Sequence, residues 1–239
     1  ATACRLQHKL GATRCGAREH ALADALIAGG AELYAYMQLL NPGIKKAAVK
    51  FAVGKADDTA AAVKFAKENS VEMAVIGHEA PLAAGIVDEL EAAGIKCVDP
   101  AKKLAQLETS KGFTRQLLKK YEIEGYPDFR VFNSSNKSEI KAYLEKLGEY
   151  VVKPDGLTGG KGVRVFGEHI SSKDEALDYC NEILNSHNAV VIEEKLEGEE
   201  FSLQCLVDGE HVVSTPAVQD HKRAFAGDKG PNTGGMGSY

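Results

Sequence analysis

The chain has 239 residues, 44% of them hydrophobic and 26% charged, with a formal net charge of -5. That is enough apolar material to pack one large or two modest domains, and it excludes overall disorder. No run approaches the roughly 18 apolar residues of a membrane helix, and no basic-then-apolar segment opens the chain. A mildly acidic chain without basic blocks is no nucleic-acid binder by default, so neither a membrane nor a nucleic-acid partner is expected. The five cysteines, Cys4, Cys15, Cys97, Cys180 and Cys205, never form a C-x-x-C pair. This argues against a disulfide framework and against zinc; they read as small buried hydrophobes in a reducing cytoplasm. The chain begins at Ala1 rather than Met and ends directly after a glycine-dense stretch, 234–237, so a piece of a longer protein is expected.

In chain order, an Ala/Leu-rich helix over 19–28 stops at Gly29-Gly30, and a short strand follows over 33–37. Asp57 and Asp58 offer caps for a helix running to 68. A strand over 73–76 closes at Gly77. A helix over 85–93 stops at Gly94, and a strand over 95–98 ends at Asp99-Pro100. Strands alternating with helices predict a parallel sheet with helices on both faces. Ligands of such sheets sit beyond the carboxyl ends of the strands, where the segments 15–20 and 77–82 are expected as loops. Ser110 caps a helix to about 121, and the domain boundary is expected near Glu108, giving domains 1–108 and 109–239. The pattern then changes. Strands are expected over 129–132, 150–153, 163–166 and 189–194, with helices over 138–147 and 172–184 between them. Together they form a lid subdomain of about 129–194. Strands over 201–207 and 211–218 join through Asp208-Gly209, a hairpin signal.

Five segments carry chemistry. The first runs from Val151 to Val163: a strand delivers Lys153, then Gly156, Gly159, Gly160 and Gly162 surround Lys161, and a strand follows. Glycines let backbone N–H groups approach phosphate oxygens, and lysines supply compact positive charge to the same polyphosphate. The spacing is not that of a P-loop, and no helix follows. The second is an apolar strand ending in Glu193-Glu194-Lys195-Leu196, with Glu200 a few residues on. Such a strand end can offer backbone groups to an adenine edge and a carboxylate to ribose hydroxyls. A solvated acidic turn explains it equally when it is read alone. The third joins Gln219-Asp220-His221-Lys222-Arg223 to the stretch 230–237, basic residues beside a glycine loop suited to an anion. The fourth, Gly16-Ala17-Arg18-Glu19-His20, opens a helix whose N-terminus can hold a phosphate. The fifth, Gly77 to Leu82, follows a strand. His8, His169, His187 and His211 carry no recognisable partners.

Taken together, these segments resemble the phosphoribosylamine–glycine ligases (glycinamide ribonucleotide synthetases), an ATP-grasp family of purine synthesis. The carriers lie in the family's order from Cys15 to Tyr239, and GPNTGGMGSY after QDHKR is the most specific. The resemblance implies an α/β fold, a parallel-sheet pre-ATP-grasp domain followed by an incomplete α+β ATP-grasp domain. It assigns ATP to Lys111, Lys153, Gly159, Gly160, Lys161, Gly162, Val163, Glu193, Leu196 and Glu200. The glycines would form the flap over the phosphates. It assigns phosphoribosylamine to Gly16, Arg18, Glu19, His20, Glu79, Pro81, Asp220, Lys222, Asn232, Thr233, Gly234, Gly235 and Met236. The implied chemistry starts with glycine carboxylate attacking the γ-phosphate of ATP. The amine of phosphoribosylamine then attacks the acyl phosphate, giving glycinamide ribonucleotide, ADP and phosphate.

Several positions depart from the family's pattern. Residues 1–14 are too polar for a buried parallel strand; Ala17 replaces a usual glycine, His78 a usual proline and Asp99 a usual glycine. These departures bear on binding in the first domain. The family's Mg²⁺- or Mn²⁺-binding carboxylate and asparagine lie beyond the equivalent of Tyr239. No metal ligand is therefore expected here, no catalytic residue is assigned, and these residues alone are expected to be inactive. Another ATP-grasp carboxylate–amine ligase and a non-catalytic nucleotide-binding module are the competing readings.

Overall fold

The computed structural model describes residues 16–158, 162–227, 229–233 and 235–239, apart from the side chain of Asn232. The chain divides into two compact units, Ala1–Thr114 and Arg115–Tyr239. None of its described helices is long and apolar enough to cross a membrane.

The first unit alternates helices and short strands: α1 (Ala17–Ala28), β1 (Tyr34–Met37), α2 (Pro42–Ala47), β2 (Lys50–Val53), α3 (Thr59–Glu68), β3 (Met73–Ala74), α4 (Glu79–Ala84), α5 (Ile86–Ala92), β4 (Lys96–Cys97) and α6 (Lys102–Thr109). A further helix, α7 (Lys111–Lys120), spans the division between the units. Strands β1 and β2 pair in parallel, as do β3 and β4. Successive side chains of a strand point to opposite faces. On β1, Ala35 and Met37 pack with Ala23 and Ile44, while Tyr36 joins Phe65, Ile86 and Leu90. Both faces of β1 are therefore buried, as a strand between helices requires, whereas its partner β2 is largely exposed. The Asp58 carboxylate accepts from the N–H of Ala61 at 3.0 Å and starts α3.

Three helices were not anticipated. Asn41-Pro42-Gly43 has the composition of a turn, yet the Asn41 side chain accepts from Gly43 and Ile44 N–H and Pro42 occupies the first helical position, which starts α2. The segment expected as a loop after Gly77 is instead the start of α4, where His78 Nδ1 accepts from Ala80 N–H at 3.2 Å. The third, α6, begins at Lys102, whose N–H donates to Asp88.

The second unit contains β5 (Phe129–Phe132), α8 (Lys137–Leu147), β6 (Tyr150–Pro154), β7 (Arg164–Val165), α9 (Lys173–Ser186), β8 (Val190–Glu194), β9 (Cys205–Val207), β10 (Val212–Ser214), β11 (Arg223–Phe225) and β12 (Lys229–Asn232). Four strands form one antiparallel sheet in the order β5-β8-β6-β7. One face of it packs on α8 and α9: Tyr150, Val152, Val190 and Ile192 join Ile140, Leu144, Leu177 and Ile183 in a single core. The alternate residues Val151, Lys153, Val191 and Glu193 belong to the other face. The hairpin through Asp208-Gly209 forms, but its strands are regular over only three residues each. The pair β11–β12 was not anticipated.

Cys180 is buried in the core, and burial pushes its thiol up to about 12, as suits a packing residue. Cys205 is exposed on β9, against expectation, while Cys4 and Cys15 lie outside the described residues. The exposed histidines have local partners after all: His211 faces Asp208 at 3.1 Å, His187 Nδ1 lies 2.9 Å from Ser186 Oγ, and His169 accepts from Val165 N–H. His8 lies outside the described residues.

Candidate nucleotide site

In strand β8, Glu193 lies at the centre of the sheet, paired with Phe129 on one side and Val151 on the other. Only 3% of its surface is exposed. A buried carboxylate is costly unless cations and hydrogen bonds satisfy it. Arg115, from α7, donates through Nε to Oε2 at 2.9 Å and through its terminal amine to Oε1 at 3.4 Å. The Lys153 ammonium donates to the same Oε1. Burial would raise the Glu193 pKa, but Arg115 and Lys153 outweigh it and hold the carboxyl below its ordinary value. Two cations on one carboxylate leave the group with one net positive charge, suited to an anion rather than to a metal ion.

The glycine-rich segment leaves the sheet directly after β6. Gly159, Gly160 and Lys161 lie outside the described residues. Gly162, at their far side, has φ +79°, a conformation that favours glycine, and a Cβ there would stand 3.1 Å from Pro154. The Tyr179 hydroxyl of α9 donates to the Gly162 carbonyl at 2.7 Å, and the Arg164 guanidinium lies 3.7 Å from the Tyr179 ring centroid. Val163 follows, half-buried, just before β7. Lys111 is half-buried at the start of α7. Beyond β8 the chain leaves the sheet and Leu196 is exposed.

Two of the segments read separately in the sequence come together. Glu200 accepts from the Lys222 ammonium, which Asp220 also approaches at 3.6 Å. The Glu200 hydrogen bond raises the Lys222 pKa, although burial opposes it. Thr233 N–H donates to the Lys222 carbonyl at 2.7 Å, Gly235 N–H to Thr233 Oγ1 at 3.1 Å, and Met236 N–H to the His221 carbonyl at 3.0 Å. The basic segment and the glycine loop thus fold on each other. Asn232 ends β12 opposite Arg223, and Gly234 lies outside the described residues.

In the first unit, the start of α1 is closely packed. The Glu19 carboxylate turns inward, accepts from Gly16 N–H at 3.0 Å and packs where a Cβ on Gly77 would stand 2.7 Å from its Cγ. The His20 ring lies against Gly43 in the same way. Arg18 remains exposed on the first turn. Glu79 meets His78 at 3.4 Å and Pro81 is buried in α4. An open groove beside Glu19, walled by Leu22, Ala23, Leu33, Ala35, Ile44 and Val75, is apolar. Asp99 is structural: it accepts from Ile76 N–H at 2.6 Å. Among the described residues, no group of three His, Cys, Asp or Glu side chains could hold a metal ion.

Sequence reading missed Arg115 and Tyr179. Arg115 stands one turn after Lys111 on α7, a spacing that shares a helix face and was the one available signal. Its partner lies 78 positions away, visible only through the sheet.

Two family models match: the phosphoribosylglycinamide synthetase N domain over residues 14–108, and its ATP-grasp (A) domain over 109–239. The phosphoribosylamine–glycine ligase of Methanobrevibacter smithii is 48% identical over 229 residues, covering 94% of this chain and 52% of that protein. That of Methanoregula boonei is 50% identical over 225 residues, with the same coverage. The crystal structure of the Thermotoga maritima phosphoribosylamine–glycine ligase matches with a TM-score of 0.75 at 32% identity, covering 97% of this chain and 54% of that one. An N5-carboxyaminoimidazole synthetase from Staphylococcus aureus, solved with ADP, matches in fold at a TM-score of 0.72 and 17% identity, covering 93% of this chain and 57% of that one. The chain spans about half the length of the curated relatives it matches. Its fold is an N-terminal α/β domain followed by part of an ATP-grasp domain. With the two models meeting end to end over residues 14–239, the chain belongs to the phosphoribosylglycinamide synthetase family.

Proposed function

We propose that this chain supplies the nucleotide-binding part of a phosphoribosylamine–glycine ligase, which joins glycine to 5-phosphoribosylamine at the expense of ATP. The observation that carries the reading is Lys153 and Arg115 on the buried Glu193, next to a glycine-rich segment. Phosphoryl transfer needs positioning and charge stabilisation more than covalent help. In this reading Lys153, with Lys111 and Lys161, meets the phosphates, and the glycines around Lys161 close over them. Closure excludes water from the glycyl phosphate, which is prone to hydrolysis. Glu193 and Leu196 border the adenine and Glu200 the ribose. Phosphoribosylamine contacts are assigned in each unit separately: in the first to exposed Arg18, half-buried His20, Glu79 and Pro81, and in the second to Asp220, Lys222, Thr233 and Met236. Mg²⁺ or Mn²⁺ would accompany ATP; Glu193, fully engaged by cations, does not suit it as a ligand. A cytoplasmic metabolic enzyme acting on small molecules fits this chemistry.

The test is calorimetric titration of the 239-residue chain with ATP. Saturable binding is expected, and Lys153→Ala should weaken it by about tenfold through loss of a charge-assisted phosphate contact. Absence of saturable binding, or unchanged affinity in the variant, overturns the site. A second reading is a nucleotide-binding module without catalysis of its own. Repeating the ATP titration with and without Mg²⁺ separates the two: binding to which Mg²⁺ adds little describes the module.

A further inference from the structure

We propose that Arg115 is a positioning residue for the nucleotide phosphates, acting through Glu193 on Lys153. The inference rests on reading this site as the ATP site. Glu193 is buried and has two oxygens to satisfy. Were Lys153 its only cation, the two would form a neutral buried pair. The ammonium would then have to abandon an otherwise unpaired carboxylate to meet a phosphate, which is strongly unfavourable.

Arg115 changes that balance. Its guanidinium approaches both carboxylate oxygens, at 2.9 and 3.4 Å. A planar guanidinium is pre-organised for this two-point contact and never loses its charge. Glu193 is therefore neutralised by the fixed partner, and the surplus positive charge belongs to Lys153. The ammonium keeps three donors on a flexible stem, and only one is needed to stay on Oε1. Both cations reach solvent, with side chains 26% exposed for Arg115 and 21% for Lys153 against 4% for Glu193, but the Arg115 fork is committed to both carboxylate oxygens, so Lys153 is the cation with donors to spare for an anion. Arg115 follows Lys111 by four residues, so the helix that carries one lysine of the proposed phosphate site also anchors the carboxylate that directs another.

The test compares ATP with adenosine, titrated against the full 239-residue chain. Arg115→Gln should weaken ATP by about tenfold and leave adenosine within about twofold, because only the phosphates report on Lys153. In a Lys153→Ala background the same substitution should add nothing further to the loss of ATP. Arg115→Lys, which keeps the charge but not the fork, should fall between wild type and Arg115→Gln, and it serves as the test should the glutamine variant not fold. A merely structural role predicts equal losses for ATP and adenosine, or an undiminished effect when Lys153 is absent; either result overturns the proposal. Wild-type chain that binds no ATP overturns the site and this inference together. Normal wild-type binding with an indifferent Arg115 series overturns this inference alone.

Discussion

Glu193 holds its negative charge in a place where only its two cations make that charge tolerable. Replacing it with glutamine keeps the shape but leaves Arg115 and Lys153 facing each other without a counter-charge. Breaking a buried pair in this way costs about 3 kcal/mol. Glu193→Gln should therefore lower the denaturant midpoint at neutral pH. The effect should depend on pH in one direction. The native carboxyl titrates below its ordinary value of 4.5. Its contribution is then fully present above pH 4.5, and it is lost as pH falls through the native value, where the carboxylate takes up a proton. Wild type and variant should accordingly converge in stability in acid and keep their full gap above pH 4.5. Parallel urea titrations across that range check it; a constant gap at all pH values would mean that the loss comes from packing and not from charge.

Helix α9 shows how much of an element its own sequence dictates. Ser172 Oγ accepts from Glu175 N–H at 3.2 Å, and the Glu175 carboxylate accepts from Ser171 N–H at 2.8 Å, so the first turn is closed from both sides. Apolar positions at helical spacing then bury Ala176, Leu177, Cys180 and Ile183 under the sheet. Ser172→Ala should cost about 1 kcal/mol, measured as a shift in urea midpoint with the slope unchanged. Local signals of this kind made α3, α8, α9 and the strands β5, β6 and β8 readable in advance. They failed at α2 and α4, where residues with turn chemistry, Asn41-Pro42-Gly43 and His78, are the caps that start a helix. The site was legible by halves for the same reason. Lys153 and Glu193 lie on strands whose alternation is local, whereas the Arg115 contact depends on the register of β5, β8 and β6, which no nearby residue encodes.

Across the whole molecule, apolar surface is unevenly distributed. The four-stranded sheet buries one face under α8 and α9, while the β9–β10 hairpin is left with both faces in solvent. Its register pairs Val212 with Val207 and Val213 with Leu206, and the four side chains are 63–66% exposed. An isolated two-stranded hairpin is marginal in water, and an exposed apolar edge is a template for pairing with another chain. Nearby Phe201 and Leu203 are also exposed. Such surface exceeds what scattered single residues explain. The 239-residue chain should therefore self-associate with rising concentration, and the double substitution Leu206→Lys and Val213→Lys should suppress this. Both lysines would point to one face of the hairpin, where charge opposes edge-to-edge pairing. Little native packing would be lost, so the thermal midpoint should move by no more than about 0.5 kcal/mol equivalent. Sedimentation velocity over a concentration series measures the association. A variant that associates as strongly as the parent would locate the sticky surface elsewhere, with exposed Leu39, Leu40 and Val49 of the first unit the next place to substitute.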